Sequence, residues 1–170
     1  MEEVALLNEV LHWVSWAGRE AALFVISMIP LIELRGAVIL GAAWQMPWYK
    51  VLLISIAGNL LPIPFVILFI KKVLYWLKRF PVFAGFVGWY EKRLTKHSEK
   101  KDRLTFWALV VLVGIPLPGT GAWTGAGVAS ILNMRLRDAF PAIVAGVVVA
   151  GMIMTAGAYG VVGFLRVFAI

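Results

Sequence analysis

Long apolar stretches fill most of this sequence, and they decide which solvent the chain can fold in. Of the 170 residues, 62% are apolar and only 15% are charged, whereas a soluble domain is about half apolar and about a quarter charged. A core of this size cannot hide so many apolar side chains from water. The composition therefore predicts an all-α integral membrane protein, with lipid as its second solvent.

Two of the apolar stretches, 48–70 and 139–165, are long enough to cross a bilayer as helices, since a crossing takes ~20 residues. Asn59, Pro62 and Pro64 interrupt the first stretch. Because proline lacks an N–H, we expect this helix to be kinked and some of its carbonyls to lose their usual donors. The second stretch is rich in glycine and alanine, which favours close packing of helices.

A third apolar stretch, 20–46, carries charges near its middle. Glu33, Arg35 and Gly36 separate the run 21–30 from the run 37–44. A charge at the bilayer centre costs ~2.5–3.5 kcal/mol, so one straight helix is disfavoured. We expect a re-entrant hairpin, in which two half-helices meet at a tip and leave the membrane on the side where they entered. Irregular backbone at that depth must be buried in protein or line a wet cavity.

A similar hairpin is expected further along the chain. The apolar run 104–115 is stopped by a segment rich in proline and glycine, 116–121, and a short apolar run follows to residue 132. The two halves of the chain also match in order and spacing. Ile29-Pro30-Leu31 matches Ile115-Pro116-Leu117, and Gly41 matches Gly127, at an offset of 86; Met46 matches Met134, and Gly58 matches Gly146, at an offset of 88. Together these matches predict a duplication with a two-residue insertion.

The duplication gives the predicted layout of a single membrane domain, 1–170. Residues 4–17 form an amphipathic helix that lies at the interface or leads into the next span. The first repeat, 20–70, and the second repeat, 104–166, each contain a hairpin and a transmembrane helix. Between them lies a basic cytoplasmic segment, 71–103.

Basic residues test the orientation of this layout. Ten of the sixteen lie in the segment 71–103: Lys71, Lys72, Lys78, Arg79, Lys92, Arg93, Lys96, Lys100, Lys101 and Arg103. With this segment in the cytoplasm, Arg135 and Arg137 also lie inside, and only Arg19, Lys50 and Arg166 lie outside. The positive-inside rule is then satisfied and the two repeats are inverted, as in many secondary transporters. The expected location is the plasma membrane, with several crossings, and membrane lipid rather than nucleic acid is the expected partner of the basic segment.

The first tip offers two charged side chains for chemistry, Glu33 and Arg35, next to Gly36. The guanidinium of Arg35 can hold an anionic group such as a phosphate by two hydrogen bonds. A buried Glu33 can take up or release a proton, because burial and the nearby arginine act on its charge in opposite directions. The alternative is a buried ion pair that only holds the hairpin closed.

The second tip contains Pro116, Gly119, Thr120 and Gly121. Its successive N–H groups, at the start of a half-helix, favour an anion. Further hydroxyl and aromatic groups come from Thr124 and Trp123, and Asn59 can line the same cavity. A simple tight turn, and for Asn59 a cap on the proline break, are the alternatives. The sequence therefore predicts a substrate or ion site between the two tips, formed by Glu33, Arg35, Gly36, Asn59, Pro116, Gly119, Thr120, Gly121, Trp123 and Thr124.

No enzyme, metal site or cofactor is predicted. The chain has no cysteine, and its two histidines, His12 and His97, lack the spacing of metal ligands. Neither tip holds a Ser-His pair or paired carboxylates, so no catalytic residue is assigned.

At these residues the sequence resembles the small multidrug export protein family. The resemblance rests on PLIELRGAVILGA, residues 30–42, and GIPLPGTGAWTGAGVAS, residues 114–130. That family looks distantly related to the DedA-like, or VTT-domain, membrane proteins. The resemblance implies inverted re-entrant hairpins and movement of lipids, including polyprenyl phosphate carriers, often with proton coupling. DedA-like proteins have a further acid and arginine in their second motif, and this chain has neither between Pro116 and Ser130.

The expected function is transport. The first reading is a transporter or flippase for an anionic amphiphile, such as a phospholipid or polyprenyl phosphate, coupled to protons. An exporter of small lipophilic or cationic drugs, or a non-transporting membrane scaffold, are the alternatives. Because 170 residues are few to enclose a pathway, a homodimer is considered beside the monomer.

Overall fold

The structure is a computed structural model that describes residues 18–77, 99–117 and 119–168, and all regular secondary structure in these ranges is helical. The all-α prediction is therefore confirmed for them. The interfacial helix expected at 4–17, residues 78–98 of the basic segment and Pro118 lie outside the described residues. In chain order the helices are α1 (18–28), α2 (Glu33–Ala43), α3 (Trp48–Leu60), α4 (Ile63–Leu77), α5 (Glu99–Gly114), α6 (Ala122–Ile131) and α7 (Leu136–Phe168).

Two stretches of 26 residues, Trp48–Val73 and Leu136–Val161, are long and apolar enough to cross a membrane. They correspond to the two predicted spans. Residues 61–62 form a turn that separates α3 from α4, as expected where Pro62 and Pro64 each remove a helical hydrogen bond.

Three helix boundaries differ from the sequence-based expectations. α4 continues through Lys71 and Lys72 to Leu77, α5 already begins at Glu99, and α7 runs from Leu136 to Phe168 rather than over 139–165. Charged residues were expected to end these helices, but lysine, arginine and glutamate are good helix formers. Their long side chains can keep a charge in water while their stems lie along an apolar surface.

The chain divides into two compact units, Met1–Asn59 with Met154–Ile170, and Leu60–Ile153. We refer to them as unit 1 and unit 2. Each contains one hairpin: α1 and α2 in unit 1, α5 and α6 in unit 2. The units do not coincide with the predicted repeats, because each long stretch contributes its first part to one unit and its second part to the other.

In unit 1, α3 packs against both arms of the hairpin. Lys50 forms a 3.3 Å ion pair with Glu20 near the start of α1. Near the other end of α3, Gly58 lies so close to Ser27 and the Phe24 carbonyl that a Cβ would overlap both. α1 and α3 therefore run side by side in the same direction. Gly41, near the end of α2, meets Val51 near the start of α3, so both open ends of the hairpin lie beside the start of α3.

Unit 2 repeats the main contact of unit 1. A Cβ added to Gly146 on α7 would lie 2.6 Å from Val113 Cβ and 2.9 Å from the Val110 carbonyl oxygen. Val110 and Val113 lie 86 residues after Phe24 and Ser27, and Gly146 lies 88 residues after Gly58. α6 packs against both α4 and α5, and its Ser130 hydroxyl lies 2.7 Å from the Ala126 carbonyl and 3.2 Å from the Ile67 carbonyl.

The turns that follow α2 and α6 also share one geometry. Met46 N–H donates to the Gly41 carbonyl at 3.0 Å, and Met134 N–H donates to the Ala129 carbonyl at 2.9 Å. The residue before each methionine is left-handed: φ is 58° at Gln45 and 52° at Asn133. These are Schellman turns, 88 residues apart. Gly41 thus has Ala129 as its structural counterpart and not Gly127, so matching the two glycines was wrong, and the two-residue insertion falls between residue 117 and the end of α6.

Candidate functional site

The irregular segment at the first tip is shorter than the sequence indicates. The turn occupies residues 29–32, and α2 already begins at Glu33. Pro30 ends the preceding helix because it has no N–H to continue the hydrogen-bond ladder. Ile29 carbonyl accepts from Ile32 N–H at 3.2 Å and from Glu33 N–H at 2.9 Å. Glu33 and Arg35, expected in irregular backbone, therefore lie in the first turn of α2.

Glu33 combines three unusual properties at this tip. Its side chain is buried, with 6% exposed. Its backbone is left-handed, with φ of 50°, a conformation that costs a residue other than glycine about 1–2 kcal/mol. Its carboxylate also belongs to the first turn of α2, where the helix dipole favours negative charge. Strain of this kind persists only where the surroundings enforce it, and it concentrates at functional sites.

Arg35 supplies the opposite charge. It is partly buried and interacts electrostatically with Glu33. Gly36 lies against the Ile32 side chain, which a Cβ would overlap, so the turn can close tightly over the start of α2. Glu33, Arg35 and Gly36 thus lie together in the first turn of α2.

Both tips present apolar side chains on their outer surface. Leu31 is 96% exposed, and Leu117, 86 residues later, is 55% exposed. The charged pair of the first tip therefore directly follows a turn that exposes apolar side chains.

The second tip agrees closely with its predicted boundaries, since α6 begins at Ala122. Thr120 hydroxyl lies 2.8 Å from the Ile115 carbonyl and 2.9 Å from the Leu117 carbonyl, and Thr124 hydroxyl donates to the Gly119 carbonyl at 2.9 Å. Both hydroxyls therefore stabilise the turn. Gly119 has φ of 81°, which only glycine adopts without strain.

No side chain caps the start of α6, because its N-cap residue is Gly121. Trp123 at the second position of this helix is half-buried, as is Pro116 before the turn. The second tip thus offers the positive end of a helix dipole within unit 2, whereas Glu33, Arg35 and Asn59 belong to unit 1.

Sequence reasoning missed part of a buried polar group in unit 1. Asn59 was singled out, but Ser55, one turn earlier on the same face of α3, was not. Ser27 on α1 and Thr155 on α7 are buried in the same unit. The oxygens Ser55 Oγ, Asn59 Oδ1 and Thr155 Oγ1 have no hydrogen-bond partner. The i, i+4 spacing of Ser55 and Asn59 was the available signal. In the described ranges, no three His, Cys, Asp or Glu side chains are grouped to bind a metal ion.

Comparison with known protein families shows which family the chain belongs to. The model of the family described as "Putative small multi-drug export protein" matches residues 33–153, which include α2 to α6 and the second tip and begin directly after the turn of the first tip. The chain belongs to this family. No curated protein and no solved structure matches it. The family description names an exporter, and the two long apolar stretches indicate association with a membrane.

Proposed function

We propose that this protein is a transporter that moves an anionic amphiphile, such as a phospholipid or polyprenyl phosphate, across the plasma membrane with proton coupling. The observation that carries the proposal is the Glu33–Arg35 pair beside the apolar turn of the first tip, in which Glu33 is buried and strained and Arg35 is partly buried. Ionisable residues at membrane depth are expensive, so they are retained where they act on a substrate or an ion.

Arg35 is the group proposed to receive the anion. Its planar guanidinium can donate two parallel hydrogen bonds to a phosphate, which a lysine ammonium cannot do. It is only partly buried, so a headgroup can approach it. The exposed Leu31 at the same tip provides the apolar surface along which acyl or prenyl chains can lie.

Glu33 is the group proposed to couple transport to protons. In the resting state its carboxylate and Arg35 compensate each other. When an anionic headgroup binds Arg35, a second anion beside it is disfavoured, and Glu33 takes up a proton. Release of the headgroup reverses this change, so one proton and one anionic group bind together.

The alternating access that such transport needs is proposed to come from an inverted repeat of two re-entrant hairpins. Three observations support it: the equivalent contacts at Gly58 and Gly146, the equivalent Schellman turns at Gln45 and Asn133, and the position of both open ends of the first hairpin beside the start of α3. The basic segment 71–103 is proposed to lie in the cytoplasm. The distant relationship to DedA-like proteins belongs to this proposal, as does the contribution of the second tip, whose uncapped helix start favours an anion.

Export of lipophilic cations is a second candidate, because the family description names multidrug export. In this reading, Glu33 binds the cation directly and Arg35 moves away from it. The two candidates assign binding of the solute to different side chains, Arg35 for the anion and Glu33 for the cation, so one pair of variants separates them.

The experiment uses purified protein in proteoliposomes, with fluorescent phosphatidylglycerol and tetraphenylphosphonium as alternative solutes, and with and without a pH gradient. Arg35→Lys keeps the charge but loses the planar fork, and Glu33→Gln keeps the size but loses the charge. We expect Arg35→Lys to lower movement of the anionic lipid at least tenfold. We expect Glu33→Gln to abolish its dependence on the pH gradient.

The matched control is Arg137→Lys, because Arg137 is an exposed residue in the first turn of α7. It should behave as the wild type. Lipid movement that is the same in Arg35→Lys and wild type contradicts the anion proposal. Uptake of tetraphenylphosphonium that is lost in Glu33→Gln but kept in Arg35→Lys would establish the second candidate instead.

A further inference from the structure

The interior of unit 1 is polar at positions where unit 2 is apolar. At offsets of 86 and 88 residues, four buried polar residues of unit 1 correspond to buried aliphatic residues of unit 2. The pairs are Ser27 with Val113, Ser55 with Ile143, Asn59 with Val147, and Thr155 with Ile67. Unit 2 forms the equivalent helix contacts with valine or isoleucine at these four positions. Helix packing therefore does not by itself require polar side chains there.

Three of these side chains leave oxygen atoms unpaired. Ser55 is fully buried, Asn59 is 2% exposed and Thr155 is 6% exposed, and their oxygens Oγ, Oδ1 and Oγ1 have no hydrogen-bond partner. An unpaired buried polar group costs about 1–3 kcal/mol. Three such groups in one unit call for partners such as an ordered water or a bound ion.

We propose that unit 1 binds a dehydrated monovalent cation of the sodium type through Ser55, Asn59 and Thr155. All three unpaired atoms are neutral oxygens, which are the ligands that hard cations prefer. Calcium and magnesium require carboxylates in addition, and none of these three residues is acidic. Neutral oxygens combined with main-chain carbonyls therefore suit a single positive charge.

The end of α3 adds to this preference for a cation. Asn59 lies in the last turn of α3, which ends at Leu60, where the helix dipole is negative. Pro62 has no N–H, so it cannot donate to the Gly58 carbonyl as the helical pattern would require. In the second repeat, residue 150 is alanine and α7 continues without a break to Phe168. The helix break is therefore specific to the first long stretch, and the polar side chains are specific to unit 1.

Thr155 is the proposed ligand on α7. It lies one turn before Tyr159, whose hydroxyl donates to the Met46 carbonyl at 2.7 Å. Met46 comes just before α3, so this part of α7 packs beside the end at which α3 begins. Ser55 and Asn59 follow on the buried face of α3. The proposed ligands come from two helices, and the proposed binding does not depend on which solute Arg35 receives.

The test uses the full chain purified in detergent. The midpoint of thermal unfolding is measured while sodium chloride replaces choline chloride at constant ionic strength, and binding of radioactive sodium is measured directly. We expect the midpoint to rise with sodium but not with choline, because a ligand that binds only the folded state stabilises it. We expect Asn59→Val, which copies Val147 of unit 2, to fold and to lose both the shift and the sodium binding.

Ser130→Ala is the control, because Ser130 is a buried hydroxyl of unit 2 with main-chain partners. It should keep the sodium response of the wild type. Ser55→Ala is the second test variant if Asn59→Val does not fold. Equal midpoints in sodium and choline together with no bound sodium in the wild type overturn the proposal. An unchanged sodium response in a folded Asn59→Val or Ser55→Ala variant overturns it as well.

Discussion

The hydroxyl of Tyr159 donates a 2.7 Å hydrogen bond to the main-chain carbonyl of Met46. The side chain of Lys71 donates in the same way to the carbonyl of Met134. The two donors are 88 residues apart, and so are the two acceptors. In each case the second part of a long apolar stretch stabilises the turn that follows a helical hairpin of the same unit. These contacts are consistent with the division of both long stretches between the two compact units.

Tyr159→Phe tests the importance of this bond. The substitution leaves the part-buried Met46 carbonyl without its donor, so we expect a loss of about 1 kcal/mol in the free energy of unfolding. Thermal unfolding in detergent measures the loss. Tyr49→Phe is the control, since Tyr49 is an exposed tyrosine of unit 1 whose ring contact with Trp48 a phenylalanine can keep. Equal stability of Tyr159→Phe and Tyr49→Phe would show that the Met46 carbonyl does not need this donor.

Gly58→Ala and Gly146→Ala test the two equivalent helix contacts. A Cβ at Gly58 meets Ser27 and the Phe24 carbonyl, and a Cβ at Gly146 meets Val113 and the Val110 carbonyl. Because a main-chain carbonyl cannot rotate away as a side chain can, we expect each variant to lose about 1–3 kcal/mol of stability.

Gly157→Ala is the matched control for both. Gly157 is a helical glycine of α7 with nothing within 4 Å of its Cβ position. Alanine is the better helix former by about 0.5–1 kcal/mol, so this variant should be as stable as the wild type or more stable. Destabilisation of all three variants to the same extent would contradict the close contacts, since it would reflect a general effect of alanine.

The parts of the fold that depend on local chemistry could be predicted from the sequence. Pro62 and Pro64 interrupt the first long stretch, and α6 begins at Ala122 immediately after Gly121, because proline and glycine act on the backbone wherever they occur. Lys71 was assigned to a basic segment on account of its charge. Its role as a donor to Met134 depends on the packing of α4 beside α6, which charge and hydropathy do not encode.

In the candidate site, too, some features could be predicted from the residue types and others depend on the folded structure. Glu33 and Arg35 were evident because charges are rare in an apolar run. The left-handed backbone of Glu33 was not, since nothing in the residue type favours it. Ser55 and Thr155 were passed over because a small hydroxyl inside an apolar helix usually donates to a carbonyl of its own helix, and only the folded structure shows that these two have no such partner.

Gln45→Gly should stabilise the protein. Gln45 has φ of 58° in the turn after α2, where a residue with a Cβ pays about 1–2 kcal/mol and glycine pays nothing. Glycine also has more conformational freedom in the unfolded chain, which offsets part of this stabilisation. We therefore expect the free energy of unfolding to rise by about 0.5–1 kcal/mol. The midpoint of thermal unfolding measures it. Gln45→Ala, which keeps the Cβ, should show no rise, and an equal rise in both variants would exclude relief of backbone strain.

Thr120→Val tests whether the Thr120 hydroxyl only stabilises the turn of the second tip or binds the substrate directly. That hydroxyl lies within hydrogen-bond distance of the carbonyls of Ile115 and Leu117, so replacing it with a methyl group should lower stability by about 0.5–1.5 kcal/mol. Thr120→Ser keeps the donor and should restore both stability and transport. Unfolding in detergent and lipid movement in proteoliposomes are measured on the same preparations. A valine variant with wild-type stability but weaker binding of the transported lipid would assign the hydroxyl to the substrate, because a group that only holds the turn cannot change affinity without changing stability.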